Sequence, residues 1–335
     1  MRREITEAIA PSLFSRLLAR RRSPWTIAGI ALLLILASLG AAALDGILVD
    51  FFRDGYWRVS FPPTAVVVYI LAVSPILEGL EAKVLRSFRP VVQLDEEQLA
   101  RVVVRATHVS PAAEAMAFAA GAGVGLWFNW AWVSAEGTPW LGRYLFLAMV
   151  LMFGLLGWAI YGALASTRLT TALHRQPLRF DLFDLEPFRP IGRYSLAIAL
   201  VFVGGTVLSM LFGVRSESFL AWQNWAVALV LMLVPIMVFF LNMRDTHRVL
   251  AAEKQRELEG VRSLIVGASR TLMRRLQAGE PAGELGAEIN ALVAYEQRVR
   301  AVSTWPYDTA TLRTLFVSLI IPVLAELVRW LPEML

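Results

Sequence analysis

The chain contains no cysteine. Disulfides, thiolate metal sites and a cysteine nucleophile are therefore excluded, and redox chemistry says nothing about its compartment. Lysine is almost missing: of 32 basic residues only Lys83 and Lys254 are not arginine, which we read as the codon bias of a GC-rich prokaryotic genome. Histidine is equally sparse. His108, His174 and His247 fall in three different connections with no i, i+3 or i+4 spacing, so they are expected as surface histidines beside arginines rather than a metal or pH site. No P-loop, HExxH, GxSxG or kinase signature is present. No catalytic residue, cofactor or metal site is expected.

Apolar residues are what the chain has in excess. They make up 57% of its 335 residues, against about 45–50% in a soluble domain. Mean hydropathy is +0.58. The excess is gathered into runs, and a helix needs about 20 apolar residues to cross the hydrocarbon. Six spans are predicted at about 25–44, 64–80, 115–135, 144–167, 194–214 and 219–243. A seventh at 314–330 is weaker, with Pro322 central and Glu326 and Arg329 in its outer half. Runs this long are too long for barrel strands, and a 20-residue apolar run in lipid must bond its backbone internally. The predicted class is all-α: a polytopic transmembrane bundle of six to seven spans.

Charge sets the expected orientation. Segments 1–24, 81–113, 166–193 and 244–313 hold 27 of the 32 basic residues, whereas the loops 45–63, 134–143 and 214–222 hold 4. Arginine-rich connections stay cytoplasmic, so the N-terminus is expected inside a cell inner (plasma) membrane. The surplus of +5 then faces anionic lipid, and nucleic acid is not an expected partner. The run 25–44 is too long for a signal peptide's apolar region and is read as a retained span.

Four regions follow: a cytoplasmic amphipathic segment 1–24, the bundle 25–243, a cytoplasmic helical hairpin 244–303 and a C-terminal membrane segment 304–335. Residues 4–19 read as a short surface helix. The sixth span is predicted to continue without a break to about Gln277. Leu258, Val261, Ile265, Ala268 and Leu272 form a heptad-like stripe on it. The break at 279–283 is followed by a second stripe, Leu285, Ile289, Leu292, Tyr295 or Glu296, and Val299. This coiled-coil-like hairpin is expected to pack on copies of itself through Leu258, Val261, Ile265 and Leu272, making a homo-oligomer. Leu94–Thr107 reads as a helix with acids at its start. Residues 180–193 alternate apolar and acidic residues and are expected to fold back on the membrane surface or a neighbouring chain.

Few polar residues stand out in the spans. Glu78, Glu81 and Glu114 converge on the inner boundary, where they either pair with Lys83, Arg86 or Arg105 or form an acidic inner pore mouth. Asn129, flanked by Trp127, Trp130 and Trp132, is expected to make an interhelical hydrogen bond near the outer surface. Gly121 and Gly125, with Gly154, Gly157 and Gly204-Gly205, offer small faces for close helix packing. No span shows a continuous polar stripe, and no buried charge at mid-depth marks a concentrative transporter.

Segments 181–195 (DLFDLEPFRPIGRYS), 246–261 (THRVLAAEKQRELEGV), 303–313 (STWPYDTATLR) and the LDEEQLARVVVRAT run together resemble an uncharacterised family of prokaryotic polytopic membrane proteins, six- to seven-span with a cytoplasmic helical hairpin. The resemblance implies an inner-membrane location and no activity. The residues themselves favour an oligomeric ion channel or channel-like transport protein with an assembly or gating hairpin. The alternatives are a non-conducting membrane sensor or scaffold whose hairpin docks a cytoplasmic protein, and a membrane-embedded enzyme.

Overall fold

The computed structural model describes residues 24–321 except 109, 131, 132, 134–136, 213–221, 282, 306–312, 315 and 319. The expected surface helix at 4–19 and most of the 314–330 segment lie outside the described residues. In chain order the helices are α1 (Pro24–Leu44), α2 (Leu48–Arg53), α3 (Trp57–Phe88), α4 (Glu96–Thr107), α5 (Pro111–Asn129), α6 (Pro139–His174), α7 (Arg189–Phe212), α8 (Trp222–Gln277) and α9 (Leu285–Ala301). Among the described residues there is no strand, only an isolated bridge between Val92 and Leu178.

Five segments are long and apolar enough to cross a membrane: Trp25–Leu44, Trp57–Phe88, Glu96–Asn129, Pro139–His174 and Glu186–Leu208. They contain the predicted spans 25–44, 64–80 and 144–167 whole, and residues 115–129 and 194–208 of the third and fifth. The helices overrun the apolar runs, α3 by seven residues before 64 and eight beyond 80, because a helical backbone stays internally bonded whether lipid or water surrounds it. The first third of α8 covers most of the sixth predicted span. The helix then continues unbroken for 56 residues in all, as the sequence predicts.

Burial identifies the solvent. Only 17% of the apolar stretch of α1 is buried, and even α7, the most enclosed, reaches 50%. Leu33, Met116 and Leu147 are each 65% exposed, and Trp25 83%. Whole apolar faces this bare are lipid-facing surfaces rather than a water-soluble exterior.

Helix α6 is the hub, touching α1, α3, α4, α5 and α8, while α7 packs between α3 and α8. Glycine makes the α5–α6 contact. A Cβ on Gly157 would lie 2.5 Å from the Ala117 carbonyl oxygen, one on Gly125 3.0 Å from Val150 Cα, and one on Gly121 against the Phe153 carbonyl. The two backbones touch, as the small-residue spacing predicts. Hydroxyls add ties. The Tyr144 hydroxyl donates to the Leu34 carbonyl at 3.0 Å and lies 3.1 Å from Thr64 Oγ1, linking α6 to α1 and α3. The Asp45 carboxylate accepts from the backbone N–H groups of Trp140 and Leu141 at 3.0 and 2.8 Å, capping the start of α6 from the α1–α2 turn.

The largest core sits at the arginine-rich end. Phe88, Phe188, Ile191, Leu173 and Met243 are buried together there. The Phe188 ring meets Phe88 at 5.4 Å and Phe180 at 5.0 Å. The Gln93 N–H bonds to the Pro177 carbonyl and the Arg179 N–H to the Val91 carbonyl, clamping the segments after α3 and α6. Asp95 caps α4, as its acidic start predicts. His174 is a correction: it is buried against Phe88, not on the surface. Residues 180–183 differ too. Phe180, Leu182 and Phe183 pack on this chain's own hairpin, against Leu258 and Val299, because their apolar positions match a face that α9 leaves open.

Two outcomes test this packing. Gly157→Leu, which drives a side chain into the α5 backbone, lowers stability by about 1–3 kcal/mol in reversible unfolding in detergent. Gly123→Leu, on the same helix pair but facing open space, leaves it unchanged. Asp45→Ala costs about 1 kcal/mol in the same measurement.

Candidate functional site

Helix α3 packs on both α6 and α7, and the three leave a gap between them. They enclose a cavity of about 310 Å³. The cavity side of α3 carries Tyr69, Ser74, Glu78 and Glu81; α6 contributes Trp158 and Ser166, and α7 contributes Tyr194. The remaining lining is aliphatic or aromatic. Among the described residues no basic side chain lines it.

Most of the polar lining is already committed. The Tyr69 hydroxyl donates to the Val201 carbonyl at 2.9 Å, fastening α3 to α7. This is possible only because Gly204 has no side chain, since a Cβ there would collide with the Tyr69 hydroxyl. Ser74 donates to the Ile70 carbonyl and Ser166 to the Ala163 carbonyl, each at 2.8 Å. Tyr194 is buried beside Glu81 and Ser166. The charge in the cavity is that of Glu78 and Glu81, at i, i+3 on one helix face. They lie ten and seven residues before the end of α3, or about 15 and 10 Å along its axis. Pro75 precedes Glu78 by one turn and leaves the Leu71 carbonyl without its helical donor.

The three sequence-predicted carboxylates are thus placed unequally. Glu78 and Glu81 share the cavity. Glu114, in the first turn of α5 and 2% exposed, lies outside the lining; Trp158 Nε1 donates to it at 3.4 Å from the cavity wall. Asn129 differs from expectation. Its Nδ2 donates to the Gly125 carbonyl of its own helix at 2.9 Å, because backbone contact with α6 lies on the glycine face and leaves Asn129 a nearer acceptor one turn back. The polar face of α3 was also missed. With the span ended at residue 80, Tyr69 and Ser74 read as ordinary span content and Glu81 as a boundary residue; the full length of α3 puts Ser74, Glu78 and Glu81 on one face, and Tyr69 joins the lining from another. Nothing in the sequence marks Trp158, Ser166 or Tyr194 as their neighbours.

The hairpin forms a second polar region. Leu258 is buried against Leu182 and Val299, and Val261 is buried too, so these stripe positions are occupied within the chain; Ile265 and Leu272 are half-covered. Arg262 Nε donates to Glu296 at 2.9 Å, Arg300 donates to the same oxygen at 2.7 Å, and the Tyr295 hydroxyl donates to Glu257 at 2.8 Å. The Arg262 hydrogen bond, with Arg300 beside it, holds the Glu296 carboxyl below its usual range. Its bond to the Glu257 carboxylate, with partial burial, pushes the Tyr295 hydroxyl up. Lys254 Nζ bonds the carbonyls of Arg300 and Val302 at 2.6 and 2.8 Å, tying off the end of α9. The His247 ring stacks on Trp305 at 4.1 Å, where the returning chain meets α8. The three histidines serve separate places, and among the described residues no metal-holding group of His, Cys, Asp or Glu is present.

The fold and cavity together define a helical membrane protein with an acidic cleft between three of its helices. Comparison of the chain with protein-family models, with curated proteins and with solved structures finds no match.

A depressed carboxyl stabilises the folded state above its unfolded value and loses that contribution as pH falls through the folded one. The hairpin therefore loosens on acidification below about pH 4, read as faster amide exchange in 285–301. Glu296→Gln removes that part of the pH dependence.

Proposed function

We propose that the protein is a homo-oligomeric, cation-selective channel or channel-like transport protein of the cell inner membrane, with the acidic cavity on its permeation route and the hairpin as its assembly element. One observation carries this reading: two carboxylates on one face of α3 front an intramembrane cavity with no basic residue in its described lining. Carboxylates placed where water is scarce favour cations over anions. Pro75, one turn from Glu78, gives α3 a point at which to bend. The arginine bias supports a cytoplasmic N-terminus and hairpin, and the resemblance noted above agrees with an inner-membrane location.

Self-association rests on the far part of the hairpin. There Val266 and Met273 are exposed on α8 with Arg270 and Arg274 alongside. Glu284 and Glu288 lie at the start of α9, so one copy presents the acids that another's arginines need. This replaces Leu258 and Val261 as the contact between copies. The same apolar face favours a second reading, a membrane scaffold that docks a cytoplasmic protein without conducting.

In liposomes the purified protein should carry potassium down a voltage gradient, and Glu78→Gln with Glu81→Gln should cut that flux about tenfold or more. A silent wild-type protein that still binds a soluble partner through 260–277 sinks the channel reading in favour of the scaffold. Met273→Asp should turn the oligomer into monomer by native mass spectrometry. A variant with unchanged mass sinks the proposed contact between copies.

A further inference from the structure

We propose that the cavity between α3, α6 and α7 binds an organic cation, an ammonium group on an apolar and preferably aromatic body, which enters sideways from the lipid between α3 and α6. This rests on the reading of the cavity as the transport site and names what that site takes.

The chemistry of the lining argues for it over a metal ion. Calcium takes six to eight oxygen ligands and magnesium six. Here the two carboxylates supply at most four, and among the described residues no other carboxyl or amide side chain lines the cavity. Nearly all the rest of the surface is hydrocarbon or aromatic, so an inorganic ion passes there with its water and is not held. An apolar body loses no hydration there. The volume of about 310 Å³ lies at the lower edge of small-molecule sites and exceeds what a bare ion needs. Tyr69, Trp158 and Tyr194 add aromatic rings to the lining, and aromatic surfaces attract a cation more strongly when buried. The sign is set as well: an anion meets two carboxylates, and a cation is attracted by both.

The entry route follows from exposure at the rim. Glu78 of α3 lines the cavity and is exposed. Gly162 of α6 lines it too, is exposed and meets open space where a side chain would begin. The opening therefore lies on the flank of the bundle, where membrane-dissolved amphiphiles concentrate, with its charged end displaced toward the arginine-rich side.

Calorimetry on the full-length protein in detergent, with benzyltrimethylammonium, tetramethylammonium and benzenesulfonate as probes, tests the assignment. Benzyltrimethylammonium should bind saturably, once per chain, and about tenfold or more tighter than tetramethylammonium, which lacks the apolar body. Benzenesulfonate should not bind. Glu81→Gln and Glu78→Gln should each weaken the aromatic cation about tenfold. Gly162→Leu should block it while both carboxylates remain; Gly162→Ala, a smaller change, should weaken it if the larger one misfolds. Absence of binding by wild type, equal binding of both cations, or binding indifferent to the two glutamines overturns the proposal. Potassium flux without benzyltrimethylammonium binding overturns this assignment and leaves the channel standing. Binding without any flux does the reverse.

Discussion

In hydrocarbon, one apolar side chain gains little by touching another, because lipid already offers the same contact. Helices in this chain are therefore held where backbones approach closely or where a polar group finds a partner it cannot get from lipid. The glycine seam between α5 and α6 is the clearest instance, with Gly121, Gly125, Gly154 and Gly157 each facing atoms a side chain would displace. The hydroxyl ties obey the same rule. Tyr144 reaches the Leu34 carbonyl and Tyr69 the Val201 carbonyl, each joining helices far apart in sequence.

Outside the lipid the rules revert to those of a soluble protein. The core around Phe88, Phe188 and Met243 lies where α3, α6, α7 and α8 approach the arginine-rich end, and burial from water drives it. The Val91–Arg179 and Gln93–Pro177 bonds close that core from beneath. Helix α8 joins the two regimes: Val238 and Phe239 belong to the bundle core, while Leu258 and Val261 are covered further along. A continuous helix transmits displacement along its axis, so the hairpin and the bundle are mechanically one piece.

The cavity is where the seam rule is not met. On α6 the glycine face is taken by α5, and on the side toward α3 a hydroxyl pair at Thr64 and Tyr144 holds one end while Gly162 leaves the other open. Glu78 and Glu81 stand at that opening. A carboxylate facing a low-dielectric gap gives the bundle no apolar packing.

Much was legible from residue order alone. Run length depends only on the solvent and on local backbone bonding, so the helical membrane class, five segments long enough to span and the unbroken α8 follow from it, and glycine spacing marks the α5–α6 seam. The acidic end of α3 was visible for the same reason, since a charge near an apolar run is conspicuous anywhere. Tertiary structure alone decided which polar groups meet. It brought Tyr194, Trp158 and Ser166 to Glu81, turned Asn129 back on its own helix, buried His174, and filled Leu258 and Val261 from within the chain. Each of those outcomes depends on the rotation of one helix against another, a quantity set by contacts between residues dozens of positions apart that no local pattern encodes.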